Sequence, residues 1–186
     1  REVANEVHAM RLLIDSPYVV RVYDSGEYRK VSDGSLDSLD VADQDSTKVT
    51  GFAILMQKAS MDLSQYVNDH LFQKFSLKQF VVFAHDLLHG LADIHRVGLV
   101  HGDLKMNNVF VISSGDTVSR VVIGDFGRAC CAQSRCEHDE LEKCPTQRTQ
   151  AGDMQKAVGI VIDLALSHAG SEIPTLPRIA DTDDLE

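Results

Sequence analysis

Val3, Val7, Met10 and Ile14 recur at helical spacing while Glu2, Glu6 and Arg11 lie off that stripe, which predicts an amphipathic helix over residues 1–13. Ser16-Pro17 ends it, because the residue before proline is pushed out of the helical region, and residues 18–24 then read as a strand. Residues 29–45 are polar and hold five aspartates, so a solvated loop joining two strands is expected there. The apolar run 52–56 has strand length, and 61–67 starts another helix. Ser76 and Gln79 form a capping-box pattern, after which Leu77, Phe80, Val81, Ala84, Leu87, Leu88, Leu91 and Ile94 keep one helix face apolar. Three short strands follow at 99–100, 109–112 and 120–123. Residues 154–166 are almost continuously apolar, as in a helix buried on most sides. The tail 171–186 has no periodicity.

The hydrophobic fraction of 44% with four prolines allows a sizeable core in 186 residues. A formal charge of −10 argues against non-specific binding to nucleic acid or anionic lipid. No apolar run approaches the ~18 residues of a membrane helix. The opening residues lack a basic-then-apolar signal pattern, so a cytoplasmic protein is the default expectation. The chain starts at Arg1 directly on a helical pattern, which reads as a fragment.

The chemistry concentrates in His101-Gly102-Asp103-Leu104-Lys105-Met106-Asn107-Asn108, followed 22 residues after Asp103 by Asp125-Phe126-Gly127. Phosphoryl transfer needs an acceptor for the incoming hydroxyl's proton, a cation near the transferred oxygens, and hard oxygen ligands for a divalent metal. Asp103, Lys105, and the pair Asn108 with Asp125 supply residue types for those parts. Each alone is an ordinary loop residue, and only their joint order carries weight. Cys130, Cys131, Cys136 and Cys144 cluster with His138 after this motif but lack C-x-x-C spacing. Reduced thiols are the first expectation, with a zinc site, a disulfide or a redox switch as alternatives. The eight histidines are not expected to include a His-x-x-x-His pair with acidic support for a catalytic metal, and His101 reads as a packed ring rather than a base.

These motifs resemble the eukaryotic-type protein kinases, whose catalytic loop reads H-R-D-L-K-x-x-N and whose metal-binding segment reads D-F-G. The resemblance covers about residues 1–168 and implies an α+β fold, with part of a small lobe (regulatory helix and two strands) over 1–58 and a mainly helical large lobe over 59–186. An acidic insert would occupy about 29–50. It implies ATP and Mg²⁺ as cofactors and a protein as phosphate acceptor. Asp103 and Lys105 would be catalytic, and Asn108 and Asp125 would hold the metal. Glu6 would pair with the nucleotide lysine, Gln57 and Ala59 would bound the hinge against adenine, and Phe110 would line the floor below the base. Met10, Phe126 and His101 would stack in an internal column, and Asp153 would hydrogen-bond the catalytic-loop backbone.

Lys105 after Asp-Leu favours the Ser/Thr class. Gly102 stands where the family commonly has arginine, so control by activation-segment phosphate is not expected. Only 28 residues separate Asp125 from Asp153, with no A-P-E between them, and neither a glycine-rich loop nor a V-A-x-K lysine occurs in the sequence. Two other readings therefore stand beside an active Ser/Thr kinase: a pseudokinase scaffold, and a small-molecule phosphotransferase of the aminoglycoside or choline kinase type, in which His-Gly-Asp-Leu is common.

Overall fold

The computed structural model describes residues 2–30, 36–38, 51–69, 76–114, 117–132 and 141–169. The chain runs α1 (Glu2–Leu12), β1 (Val22–Lys30), β2 (Leu36–Ser38), β3 (Gly51–Met56), β4 (Met61–Asp62), α2 (Leu63–Asp69) and α3 (Leu77–Arg96). It continues through β5 (Leu99–Val100), a 3₁₀ turn (Met106–Asn108), β6 (Val109–Ser114), β7 (Thr117–Ile123), β8 (Cys130–Cys131) and α4 (Gln150–Ala169). Among the described residues, three antiparallel sheets result, ordered β2-β1-β3, β4-β6-β7 and β5-β8. This is the α+β architecture that the resemblance implied.

Ser76 caps α3 as its sequence predicts: its hydroxyl accepts the Gln79 N–H at 3.2 Å, and the Gln79 side chain accepts the Ser76 N–H at 2.8 Å. That reciprocal bond satisfies two donors that a bare helix start leaves open. Phe83, Leu87, Leu91 and Ile94 are completely buried, and α3 packs on β7 and α4. Leu77, Val81 and Leu88 stay exposed, so the apolar stripe is wider than the surface that covers it.

Residues 18–24 do not form one strand. Val20 N–H donates to Ile123 O at 2.9 Å and Ile123 N–H to Tyr18 O at 2.8 Å, which ties the start of the run to β7. Val22 then begins β1, which pairs with β3 through a bulge between Val22 and Asp24. One apolar run thus serves two sheets, a division that its alternation cannot reveal. β1 also extends into the expected loop as far as Lys30, and β2 lies inside it. The remainder of the acidic tract, 31–35 and 39–50, falls outside the described residues.

The last helix differs from expectation. On α4 the buried side is Asp153, Ala157, Ile160 and Leu164, whereas Met154, Val158 and Ile162 are exposed among the described residues. Continuous hydrophobicity states that a helix can be buried without stating which sides are covered.

The cysteines correct the reduced-thiol expectation. Cys130 on β8 and Cys144 form a disulfide with Cα atoms 5.0 Å apart, and Cys131 is likewise disulfide-bonded. Pairing of β8 with β5, together with Cys144 N–H donating to Cys131 O at 2.9 Å, brings the segment back on itself. Cys136 and His138 lie outside the described residues, and no group of three metal-binding side chains forms among those described. Because the bond closes a 14-residue separation, Cys144→Ser is expected to lower stability by about 2–3 kcal/mol, read from urea unfolding without reductant. No helix among the described residues is long and apolar enough to cross a membrane.

Candidate active site

The segment from β5 to β6 is pinned by buried side chains, Val100 before it, Leu104 within it and Val109 after it, which hold the intervening polar residues at the surface of the core. Asp103 is the hub. Its Oδ2 accepts the Lys105 ammonium at 2.7 Å, and its Oδ1 lies 3.5 Å from Arg128 Nη1. The buried Asn108 amide donates to Asp103 O at 2.8 Å and to Oδ2 at 3.3 Å. Burial alone would raise the Asp103 pKa. The Lys105 hydrogen bond and charge, with Arg128 and Asn108, outweigh it and hold the carboxyl below its ordinary value. Asp103 is therefore an anionic acceptor at neutral pH.

Asp125 joins this group through its neighbour, since Gly124 N–H donates to Asn108 O at 2.9 Å. Asp125 itself has φ +62° and an exposed side chain, an unusual backbone for a residue with a Cβ. The Phe110 ring on β6 lies against Gly124, where an added Cβ would come within 2.8 Å of it. Glu6 approaches from α1: its carboxylate accepts the Phe126 N–H and feels the charge of Asp125. Burial, then the Asp125 charge, raise the Glu6 pKa above its ordinary value, against the opposing hydrogen bond.

Beneath the loop, Asp153 is 4% exposed and accepts His101 N–H at 2.7 Å on Oδ2 and Gly102 N–H at 3.0 Å on Oδ1. His95 Nε2 lies 3.1 Å from the same Oδ2. This is the backbone contact that the resemblance implied for Asp153. His101 is completely buried, its ring centroid 5.0 Å from that of Phe126 with the planes tilted by 50°, and Phe126 shares one hydrophobic core with Met10. Asp103 N–H donates to its Nδ1 at 3.3 Å, so Nε2 carries the proton donated to Gly124 O at 3.0 Å. Burial pushes the imidazole below its usual pKa, against the Gly124 bond and the carboxylates around it.

A neutral His101 stabilises the fold above the unfolded value of 6.5, and that contribution is lost as pH falls through the lower folded pKa. Wild-type chain is therefore expected to lose stability between about pH 7.5 and 5.5, and His101→Phe to lose less over the same interval, by urea unfolding at both pH values.

Gln57 and Ala59 sit apart from the Asp103 cluster, on the link between β3 and β4. Gln57 N–H donates to Arg21 O at 2.7 Å, and Ser60 N–H donates to Val111 O at 2.9 Å beside Phe110 on β6. The structure thus gathers Asp103, Lys105, Asn108, Asp125, Phe110 and Glu6 through direct or one-residue links, and holds Gln57 and Ala59 on the adjoining strand connection.

Arg128 and Arg148 carry no motif signal of their own. Arg128 follows Asp125-Phe126-Gly127, and Arg148 precedes α4 and donates from Nη1 to Arg128 O at 3.1 Å. His85 and His89 also stand four apart on α3 with rings 4.2 Å apart, and His85 Nδ1 lies 3.0 Å from Asp86 Oδ1. That spacing with an acid beside it corrects the expectation for the histidines. Asp86 is committed to the fold, accepting Val121 N–H at 3.1 Å, and the pair stacks near Tyr18 away from the Asp103 cluster.

A family model described as a protein kinase domain matches residues 1–150. The chain is 35% identical over 91 residues to the serine/threonine-protein kinase US3 homolog of Gallid herpesvirus 2 (strain GA), covering 49% of this chain and 20% of that protein. It is 41% identical over 54 residues to the meiosis-specific serine/threonine-protein kinase mek1 of Schizosaccharomyces pombe, covering 29% and 12%. Against the dual specificity tyrosine-phosphorylation-regulated kinase 3 of Homo sapiens the identity is 32% over 71 residues, covering 38% and 12%. The matched stretches span a fifth or less of these curated relatives.

Proposed function

This chain belongs to the protein kinase family, and from that premise we propose that it is the catalytic part of an ATP-dependent kinase acting on Ser/Thr hydroxyls of a protein. The observation that carries the reading is the Asp103, Lys105 and Asn108 cluster joined through Gly124 to Asp125. Asp103, ionised and hydrogen-bonded, orients the acceptor hydroxyl and takes its proton. Lys105, half exposed at the same carboxylate, is free to turn toward negative charge on the moving phosphoryl group. Residues 1–58 are the proposed small-lobe part and 59–186 the large-lobe part, with the nucleotide between them.

The residues fit a divalent cation. Both Asn108 Nδ2 contacts are to oxygens of Asp103, so the amide nitrogen faces Asp103 and Oδ1 remains as an acceptor. The Asp125 carboxylate is exposed beside it in sequence order and backbone bonding. Two hard oxygen donors of this kind suit Mg²⁺, which when bound neutralises phosphate charge. In this reading Gln57 and Ala59 bound the adenine hinge, Phe110 lies under the base, and Glu6 takes a nucleotide lysine whose charge would offset the cost of its half-buried carboxylate.

Mg·ATP is expected to raise the unfolding free energy of the wild-type chain by about 2.7 kcal/mol at a hundredfold excess over Kd, and Asp125→Ala to remove that gain. Absence of any shift in the wild type counts against nucleotide binding. Phosphate transfer to a Ser/Thr peptide, compared with transfer to small aminoalcohols, separates the protein kinase reading from a small-molecule phosphotransferase.

A further inference from the structure

We propose that Arg128 is a positioning residue for Asp103, holding Oδ1 of the catalytic carboxylate through the step in which Lys105 turns to the phosphate. The inference rests on the proposed roles of Asp103 and Lys105, and its geometry stands apart from them. The two carboxylate oxygens each face one cation, Lys105 at 2.7 Å on Oδ2 and Arg128 at 3.5 Å on Oδ1. With three N–H donors, the Lys105 ammonium is shared between Asp103 Oδ2 and the transferred group once phosphate is present, which weakens its hold on the carboxylate. The cation that bears on the carboxylate from the other side is Arg128.

The backbone carrying Arg128 is held for this purpose by two separate devices. Arg148 Nη1 donates to Arg128 O at 3.1 Å, linking the residue to the segment before α4. Gly102, with φ +77°, lets that same oxygen come so near that an added Cβ would stand 2.7 Å from it. A side chain at 102 would therefore push residue 128 away from the loop. The glycine at 102 thus leaves room for the backbone that brings the Arg128 cation to Asp103. Ala129 N–H closes the turn onto Phe126 O at 2.9 Å, completing a rigid base for a guanidinium that is itself 57% exposed.

The test combines a catalytic and a non-catalytic measurement on the full chain. With Mg·ATP and a Ser/Thr peptide, Arg128→Gln is expected to lower kcat roughly 10-fold to 100-fold with the KM for ATP unchanged, as misorientation of a reacting group does, and Arg128→Lys to recover most of the loss. In thermal unfolding, Arg128→Gln, Asp103→Asn and the double variant are expected to be non-additive, which reads the pair without any turnover. Arg148→Gln is a second route to the same kcat loss, acting through the Arg128 carbonyl. Additive unfolding shifts, an unchanged kcat, or no rescue by lysine each overturn the assignment. If the wild-type chain transfers no phosphate, the proposed function fails, while the unfolding cycle still decides whether Arg128 and Asp103 are coupled.

Discussion

Asp103→Asn is expected to reduce phosphate transfer from Mg·ATP to a Ser/Thr peptide by about 10²–10⁴-fold, the usual worth of a positioned general base. The replacement keeps the size of the side chain and the main-chain oxygen that Asn108 uses, at 2.8 Å, but removes the anion that accepts the hydroxyl proton. Stability should change little. The lost pairs with Lys105 and Arg128 involve cations about half exposed, and such surface pairs contribute at most about 1 kcal/mol. A variant that loses activity with its unfolding midpoint preserved supports Asp103 as the reacting carboxylate. Retained transfer assigns that role elsewhere.

Asp153→Ala is expected to cost about 3–5 kcal/mol of stability, the largest effect of any single substitution considered, because it strands polar groups that are buried or part-buried beneath the loop. Asp153 satisfies the N–H groups of both His101 and Gly102 from beneath the loop and meets His95 as well. Without it, the buried His101 N–H and the part-buried Gly102 N–H lose their acceptor, and the backbone that aims Asp103 loses its anchor. Asp153→Asn should fall between the wild type and alanine, since an amide offers one oxygen where the carboxylate offers two. Urea unfolding of the three proteins orders them directly. Equal stability of all three would mean that the loop is held by its hydrophobic flanks alone.

Much of this arrangement was legible along the chain because its signals are local. The Ser76 and Gln79 pair caps α3 through bonds between residues three apart. The loop after β5 places Asp103, Lys105 and Asn108 within six residues, so one short turn is enough to bring them together. Asp125 was readable from the Asp125-Phe126-Gly127 motif, and the structure registers it against Asn108 through a backbone bond from Gly124. Asp153 was placed by resemblance, and its bonds to residues about fifty positions earlier agree with that placement.

Other features depended on where distant segments return. Val19 and Val22 are three residues apart and belong to different sheets, because β7 and β3 compete for one apolar run. Met154, Val158 and Ile162 share the hydrophobicity of Ala157, Ile160 and Leu164, and only their direction relative to α3 separates exposed from buried. Cys130 and Cys144 bond because β8 returns to β5 and the chain then doubles back.

The residues by themselves determined the principal helices and the family, because period, capping and motif spacing act over a few positions. Tertiary structure alone decided which cation faces each oxygen of Asp103, which face of α4 is covered and how the cysteines pair. Those outcomes rest on contacts between segments far apart in the chain, and a carboxylate oxygen or a helix face acquires its neighbour only when the intervening strands have packed.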